Sequence, residues 1–154
     1  MRFFLAILIA LSAVVYAGTT PEGLKFLYEN KDKEGVITLA SGLQYKVLSS
    51  GPGDGPSPLV NTPCDCHYEG KFIDGKVFDS SYARGQPTKF APNQVIKGWT
   101  EAMQLMRQGD KWEMYIPSEL AYGDRGGMIP AGAVLIFTME IVKVHETPKP
   151  KTEL

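Results

Sequence analysis

The sequence predicts an α+β domain in which a twisted antiparallel sheet of about five strands wraps around one short central helix. Several segments alternate apolar and polar residues, as half-buried strands do, and they follow one another through short turns. Only one strongly amphipathic helix lies among them, and a single helix cannot supply the crossovers that a parallel sheet requires. One helix on the apolar face of a twisted sheet leaves a concavity where the helix begins, and a binding site is expected there.

The composition is that of one ordinary globular domain: 154 residues, 44% apolar and 21% charged, with a formal net charge of −1. The basic residues are scattered, so neither a nucleic-acid surface nor a polybasic membrane segment is predicted. The two histidines, His67 and His145, lie far apart, and no hydrolase, metalloprotease or P-loop motif is present. Cys64 and Cys66 share one side of a strand, where a disulfide would be strained, so two half-buried thiols are expected. No metal or cofactor is predicted.

Residues 1–17 have the features of a secretory signal peptide. Arg2 precedes an unbroken apolar run over residues 3–15, and small residues lead to Ala17, the expected cleavage position. The run is short for a membrane span, and an uncleaved anchor is the minor alternative. The mature chain is therefore expected to begin near Gly18 and to have no membrane association after cleavage.

The other end, residues 146–154, is expected to form a flexible tail. It contains two prolines and ends in Lys151-Thr152-Glu153-Leu154, which resembles a KDEL-type retention signal with Thr152 in place of the usual aspartate. Together with the signal peptide, this tail predicts residence in the lumen of the endoplasmic reticulum. Secretion is the alternative.

A short helical appendage is predicted over residues 18–40. Thr20 is a capping residue and Pro21 suits the first helical position. Leu24, Leu27 and Tyr28 then form a brief apolar stripe. Such a helix adds no second domain to the main unit, which is predicted to span residues 41–145.

Four strands of the main unit are predicted from period-two alternation, and Asp74-Gly75 is a hairpin signal that leads into a fifth strand over residues 76–78. The residues of the four strands that should face the core are Leu43, Tyr45 and Val47; Cys64, Cys66 and Tyr68; Trp112, Met114 and Ile116; and Leu135, Phe137, Met139 and Ile141.

The central helix is predicted to begin at Trp99. Trp99, Met103 and Met106 recur at i, i+4 and i+7, which places them on one helical face, and Gly109 ends the pattern. A tryptophan at this position has two interpretations, a core residue or the floor of a pocket. The second interpretation predicts an indole that is partly accessible.

Many short strings occur in the order typical of one family, and from about residue 41 to residue 144 the sequence resembles the FKBP-type peptidyl-prolyl cis/trans isomerases. It is most similar to the macrophage-infectivity-potentiator-like branch. The strings are His67-Tyr68-Glu69-Gly70, Asp74-Gly75-Lys76-Val77-Phe78-Asp79-Ser80-Ser81, Val95-Ile96-Lys97-Gly98-Trp99, Leu120-Ala121-Tyr122-Gly123, Ile129-Pro130 and Leu135-Ile136-Phe137.

The resemblance implies a pocket for a proline ring, with Trp99 as its floor. It implies a catalytic set of Asp79, Tyr122, Trp99, Phe78 and Phe137. It implies a substrate-binding set of Tyr68, Arg84, Val95, Ile96, Met128 and Ile129, in which Ile96 offers its backbone amide and Arg84 orders the loop around Asp79. Three positions depart from the best-known members: Thr88, Gln94 and Met128. These changes leave substrate preference and drug affinity open.

The resemblance also implies an activity that needs no nucleophile or cofactor, because isomerising an X-Pro bond twists an amide over a barrier of about 18–20 kcal/mol without breaking a bond. The expected function is to accelerate this step in proteins that fold in the secretory pathway. A non-catalytic binding module or chaperone using the same pocket is the alternative. Proline-containing polypeptides are the expected partners, and macrolides of the rapamycin type are possible ligands. Only residues 21–33 remain of the long helical dimerisation region common in this branch, so a monomer is predicted.

Overall fold

The computed structural model describes residues 18–149. The predicted signal peptide and the last five residues of the predicted tail lie outside the described residues. The strands are β1 (Val36–Thr38), β2 (Gln44–Ser49), β3 (Cys64–Phe72), β4 (Val77–Ser80), β5 (Thr88–Phe90), β6 (Lys111–Ile116) and β7 (Leu135–Val144). The α-helices are α1 (Pro21–Asn30), α2 (Ser81–Arg84) and α3 (Lys97–Leu105), and single 3-10 turns cover Pro92–Gln94 and Ser118–Leu120.

The strands form one antiparallel sheet in the order β1-β2-β6-β7-β3-β4, with β5 also paired to β3. The α+β class and the antiparallel sheet are confirmed. Within residues 18–149 the sheet has seven strands where about five were predicted, because β1 and β5 are three-residue strands that alternation over so short a length does not reveal. Both exist through pairing with β2 and β3 respectively.

Helix α3 packs on the concave face of the sheet and supplies the centre of the core. Trp99 is 5% exposed, and Met103 and Met106 are fully buried, which confirms the predicted helical face. The helix begins at Lys97, two residues before the predicted start, with Ile96 as its N-cap. Gly98 permits the close approach, since a Cβ there would lie 2.8 Å from Ile116 Cγ2.

The sheet residues predicted to face the core are buried or half-buried, with one exception. Val47 is 41% exposed. The pairing of β2 with β6 shifts register between Val47 and Ser49, and such a bulge turns the end of a strand away from its regular course. Cys64 and Cys66 are free and fully buried, more enclosed than predicted. Burial raises the pKa of the Cys64 thiol to about 11.

Helix α1 covers the opposite face of the sheet. Its predicted cap is confirmed, since the Thr20 hydroxyl accepts a hydrogen bond from the Gly23 amide at 3.2 Å. Leu27 is 1% exposed and belongs to a second apolar cluster with Tyr115, Val134 and Ile136. Thus the predicted appendage is part of the packed domain. Among residues 18–149, no helix has the length and apolar character needed to cross a membrane.

Candidate active site

An open cavity of about 680 Å³ lies where α3 begins against the concave face of the sheet. Its lining comes from β3, β4, the start of α3, β7 and the segment that follows β6. The lining residues are Tyr68, Phe78, Asp79, Gln94, Val95, Ile96, Lys97, Trp99, Glu119, Ala121, Tyr122, Gly123, Asp124, Arg125 and Phe137.

Aromatic rings in edge-to-face contact form the base of the cavity. The Trp99 and Phe137 ring centroids lie 4.9 Å apart at an interplanar angle of 83°, and Tyr68 meets Trp99 at 5.1 Å and 69°. Phe78 meets Phe137 at 5.6 Å and 88°. These geometries are favourable for aromatic pairs, and each ring therefore fixes its neighbour.

Trp99 lines the cavity but is more enclosed than expected. At 5% exposure its indole is nearly sealed, whereas partial accessibility was predicted. Its Nε1 atom is buried and has no hydrogen-bond partner among residues 18–149. The physical reason for the enclosure is the contact with three other rings, since Phe90 lies 5.2 Å from Trp99 in addition to Tyr68 and Phe137.

The absence of a side chain at Gly70 lets two of these rings approach the sheet. A Cβ on Gly70 would lie 2.5 Å from Phe137 Cε1 and 2.6 Å from Phe78 Cζ. Contacts this short do not occur between real carbon atoms, so any larger residue would displace both rings. Gly70 belongs to one of the family strings, but its role against these rings depends on contacts with distant residues, which the sequence does not reveal.

The polar wall of the cavity is a three-residue network. Tyr68 Oη donates a hydrogen bond to Asp79 Oδ2 at 2.7 Å, and Arg84 Nη1 lies 2.6 Å from Asp79 Oδ1. Arg84 Nη2 donates to Tyr68 Oη at 2.9 Å, so the guanidinium spans both partners. Partial burial would raise the pKa of the Asp79 carboxyl, but the hydrogen bonds from Tyr68 and Arg84 and the Arg84 charge outweigh it and hold that pKa below its ordinary value.

Local structure explains how the network assembles. The β3–β4 hairpin pairs Gly70 with Asp79, which brings Asp79 beside Tyr68 on the neighbouring strand. Ser80 then caps α2 by accepting a hydrogen bond from the Ala83 amide. One turn of helix is enough to return Arg84 to Asp79. A four-residue helix carries no periodic signal, so the sequence alone does not predict α2.

Tyr122 lies on the opposite side of the cavity. It is 44% exposed, in a turn where the Gly123 amide donates a hydrogen bond to the Ser118 carbonyl at 2.8 Å. The stretch just before it forms the single 3-10 turn Ser118–Leu120.

The structure brings together eight of the eleven candidate residues: Tyr68, Phe78, Asp79, Val95, Ile96, Trp99, Tyr122 and Phe137. Arg84 contacts the cavity only through Asp79 and Tyr68. Met128 is 84% exposed and Ile129 is half-buried against the core, and neither lines the cavity. The charged lining residues Lys97, Glu119, Asp124 and Arg125 were missed. Glu119 lies in a single 3-10 turn and Asp124 and Arg125 follow it in irregular chain, where sequence periodicity gives no orientation.

This arrangement defines a non-covalent binding site for an apolar ring, flanked by polar groups. No group of three or more potential metal ligands occurs within residues 18–149. The sequence family described as FKBP-type peptidyl-prolyl cis-trans isomerase matches residues 55–142, and the one described as the domain amino terminal to FKBP-type peptidyl-prolyl isomerase matches residues 12–47. The chain belongs to the FKBP-type peptidyl-prolyl cis-trans isomerase family.

Two curated relatives show the extent of the similarity. The chain is 51% identical over 123 residues to the peptidyl-prolyl cis-trans isomerase Mip of Coxiella burnetii, covering 79% of this chain and 53% of the relative. It is 50% identical over 125 residues to the FKBP-type 22 kDa peptidyl-prolyl cis-trans isomerase of Escherichia coli, covering 80% of this chain and 60% of the relative. The chain thus spans little more than half the length of these relatives.

Solved structures confirm the fold. The crystal structure of FkpA from Escherichia coli superposes with a TM-score of 0.78 at 37% identity, covering 82% of this chain and 59% of that one. The crystal structure of AtFKBP13 superposes with a TM-score of 0.66 at 37% identity, covering 71% of this chain and 98% of that one.

Proposed function

We propose that this protein is a peptidyl-prolyl cis/trans isomerase that accelerates X-Pro isomerisation during the folding of exported proteins. The observation that carries the proposal is the aromatic cavity with Trp99 at its base, built from rings in mutually fixed geometry. Its volume of about 680 Å³ suits a proline ring with its flanking residues. The family of the chain and the names of its relatives support the same activity.

The chemistry follows from the polarity of the site. A planar amide is strongly dipolar, and a twisted amide has lost resonance and is less so. Transfer from water into an apolar cavity therefore costs less for the twisted amide than for the planar one. Binding energy of this kind lowers the barrier because it is larger in the transition state than in the ground state.

Two donors of the cavity would orient the peptide, and a third polar group would hold the cavity wall. The Tyr122 hydroxyl, on its exposed turn, is a donor for a neighbouring carbonyl of the substrate. The Ile96 amide, at the start of α3, is used in no hydrogen bond among the described residues and is a second donor. Asp79 is occupied by Tyr68 and Arg84, so its role is to hold the wall in place. A macrolide of the rapamycin type would occupy the same cavity.

The alternative is a binding module or chaperone that holds proline-containing segments without turnover. An exchange measurement by NMR on a short X-Pro peptide separates the two. The proposal expects exchange between cis and trans forms to accelerate with purified protein. Line broadening from binding, with no increase in the exchange rate, would contradict catalysis and favour the module.

For localisation, the proposal is export directed by residues 1–17, with cleavage after Ala17. One relative, 45% identical over 127 residues, is named outer membrane protein MIP of Legionella longbeachae, which supports export but not retention. Retention in the endoplasmic reticulum lumen is the finer proposal and rests on the four terminal residues alone, with secretion as its alternative. Tagged protein without residues 151–154 should appear in the medium, whereas the tagged full chain should stay in the cell. Equal retention of the two proteins would show that the four terminal residues are not a retention signal.

For domain organisation, the proposal keeps one isomerase domain at residues 41–145, with residues 18–40 packed onto it. A monomer is expected. Light scattering of the mature chain at several concentrations measures this directly, and a dimer mass would overturn it.

A further inference from the structure

Thr19, just ahead of α1, is buried against the segment that carries Tyr122. Its amide donates a hydrogen bond to Glu119 Oε1 at 3.2 Å, and its hydroxyl lies 3.0 Å from Glu119 Oε2. The Ser118 amide donates to Thr19 Oγ1 at 3.2 Å, and the two hydroxyl oxygens are 3.0 Å apart. We call Thr19, Ser118 and Glu119 the amino-terminal clamp. It joins parts of the chain about one hundred residues apart.

The Thr19 hydroxyl has all of its hydrogen-bonding capacity in use. A hydroxyl carries one donor and two acceptor positions. The donor suits the Glu119 carboxylate, which forms the strongest available bond because it is charged. The two acceptor positions take the Ser118 amide and the Ser118 hydroxyl. Thr19 is 8% exposed and Ser118 1%, so water cannot easily replace these bonds.

The clamp is part of a closed circuit of hydrogen bonds. The Ser118 carbonyl accepts from the Gly123 amide at 2.8 Å, and the Gly123 carbonyl accepts from the Gly132 amide at 2.9 Å. The Gly132 carbonyl accepts from the Thr20 amide at 3.0 Å, which returns the circuit to the residue after Thr19. Both ends of the loop over residues 118–133 are therefore tied to the same two residues of the amino-terminal segment.

This circuit surrounds the turn that presents Tyr122. The Tyr122 side chain is 44% exposed, so its position depends mainly on the backbone that carries it. At the far end of the loop, Gly132 has φ +73°, and a Cβ there would collide with the Gly18 carbonyl oxygen. The amino-terminal backbone thus lies directly against the loop.

We propose that Thr19 is a positioning residue for the candidate active site. By fixing Ser118 and Glu119, it holds the backbone turn that places Tyr122 on the cavity. Glu119 itself lines the cavity, and Thr19 sets the direction of its carboxylate. The catalytic part of this inference rests on the proposed isomerase function, while the structural part does not.

The test compares three variants of the mature chain. Thr19→Val keeps the shape of the side chain and removes the hydroxyl, and Thr19→Ser restores it. Asn30→Ala is the matched control, because Asn30 is also buried and Nδ2 donates across to Gln44 Oε1 at 2.9 Å, but at the other end of α1. Three readouts are measured for each variant: amide hydrogen exchange at Gly123 and Gly132, the unfolding temperature, and kcat/KM on an X-Pro peptide.

In Thr19→Val, exchange at both amides should accelerate about tenfold, and kcat/KM should fall about twofold to fivefold, no more than the loss expected when the Tyr122 hydroxyl itself is removed. Thr19→Ser should recover both values, and Asn30→Ala should lower only the unfolding temperature. Unchanged exchange in Thr19→Val, or equal acceleration in Asn30→Ala, would overturn the clamp. If the unmodified protein shows no isomerase activity, the proposed function fails, and the exchange data still decide whether Thr19 holds the loop.

Discussion

The two sides of the cavity are held in place by different kinds of interaction. The sheet side, formed by Tyr68, Phe78 and Asp79, is fixed by strand pairing, ring contacts and the bonds to Arg84. The loop side, formed by Tyr122, Asp124 and Arg125, depends on backbone hydrogen bonds and on the amino-terminal clamp. We therefore expect the sheet side to determine whether the protein binds proline at all, and the loop side to adjust rate and preference.

The largest effect is expected from crowding the sheet side at Gly70. Gly70→Ala pushes Phe137 and Phe78 from their positions, so we expect at least a tenfold loss of kcat/KM and about 1–3 kcal/mol of lost stability, typical of overpacking. A peptide isomerisation assay measures the loss of kcat/KM, and chemical unfolding measures the loss of stability. Gly126→Ala is the matched control on the loop, since a Cβ there meets no atom within 4 Å. Equal losses of kcat/KM and stability in Gly70→Ala and Gly126→Ala would contradict the greater importance of the sheet side.

The next effect concerns the carboxylates on the two sides. Asp79→Asn weakens the bonds from Tyr68 and Arg84, and we expect kcat/KM to fall about tenfold, because loosening a positioned wall acts on the transition state. Asp124→Asn, on the loop side, should change kcat/KM by less than about threefold, as exposed charges contribute little. Steady-state kinetics of Asp79→Asn and Asp124→Asn measure the two losses of kcat/KM. A larger loss in Asp124→Asn would reverse the assignment of roles.

Tyr122→Phe should have a smaller effect than Asp79→Asn. The variant removes one exposed donor and keeps the ring, so we expect a loss of about twofold to fivefold in kcat/KM, the value of one hydrogen bond. Steady-state kinetics measure this loss. Thermal unfolding of the variant should show unchanged stability. A loss above a hundredfold would mean that the loop side supplies the main stabilisation of the twisted amide.

The pH dependence should be the weakest of these effects. Because the folded state lowers the pKa of Asp79, the ionised network contributes stability above the ordinary carboxyl pKa and loses it as the pH falls through the lower, folded value. Activity should therefore be level from neutral pH down to about pH 5 and decline only in stronger acid. A pH profile of kcat/KM measures this. A decline centred near neutrality would assign the titration to another group.

Much of the fold could be predicted because its signals are local. One example is the alternation that buries Trp112, Met114 and Ile116, and another is the helix cap at Thr20. Both could be interpreted from neighbouring residues alone. The site was predicted through family strings, which place Tyr68, Asp79 and Trp99 without describing how they meet.

The remainder depends on long-range contacts. Strands β1 and β5 exist only through pairing with distant strands, and the enclosure of Trp99 follows from three rings on other elements. The contact of Thr19 with Ser118 crosses nearly one hundred residues, and no periodic pattern reports it. The same reason explains why Glu119 and Arg125 were missed as lining residues.

The central claim is that Trp99 acts as the base of a catalytic cavity and not only as core. The structure offers a matched control, because Trp112 is also 5% exposed and its Nε1 also lacks a partner among the described residues, yet it does not line the cavity. The decisive measurement is kcat/KM of Trp99→Leu and Trp112→Leu on an X-Pro peptide, with folding checked by circular dichroism. We expect both variants to lose about 2–4 kcal/mol of stability, as large-to-small core changes do. Only Trp99→Leu should lose turnover, by more than tenfold, whereas equal turnover in the two variants would show that Trp99 serves the core alone.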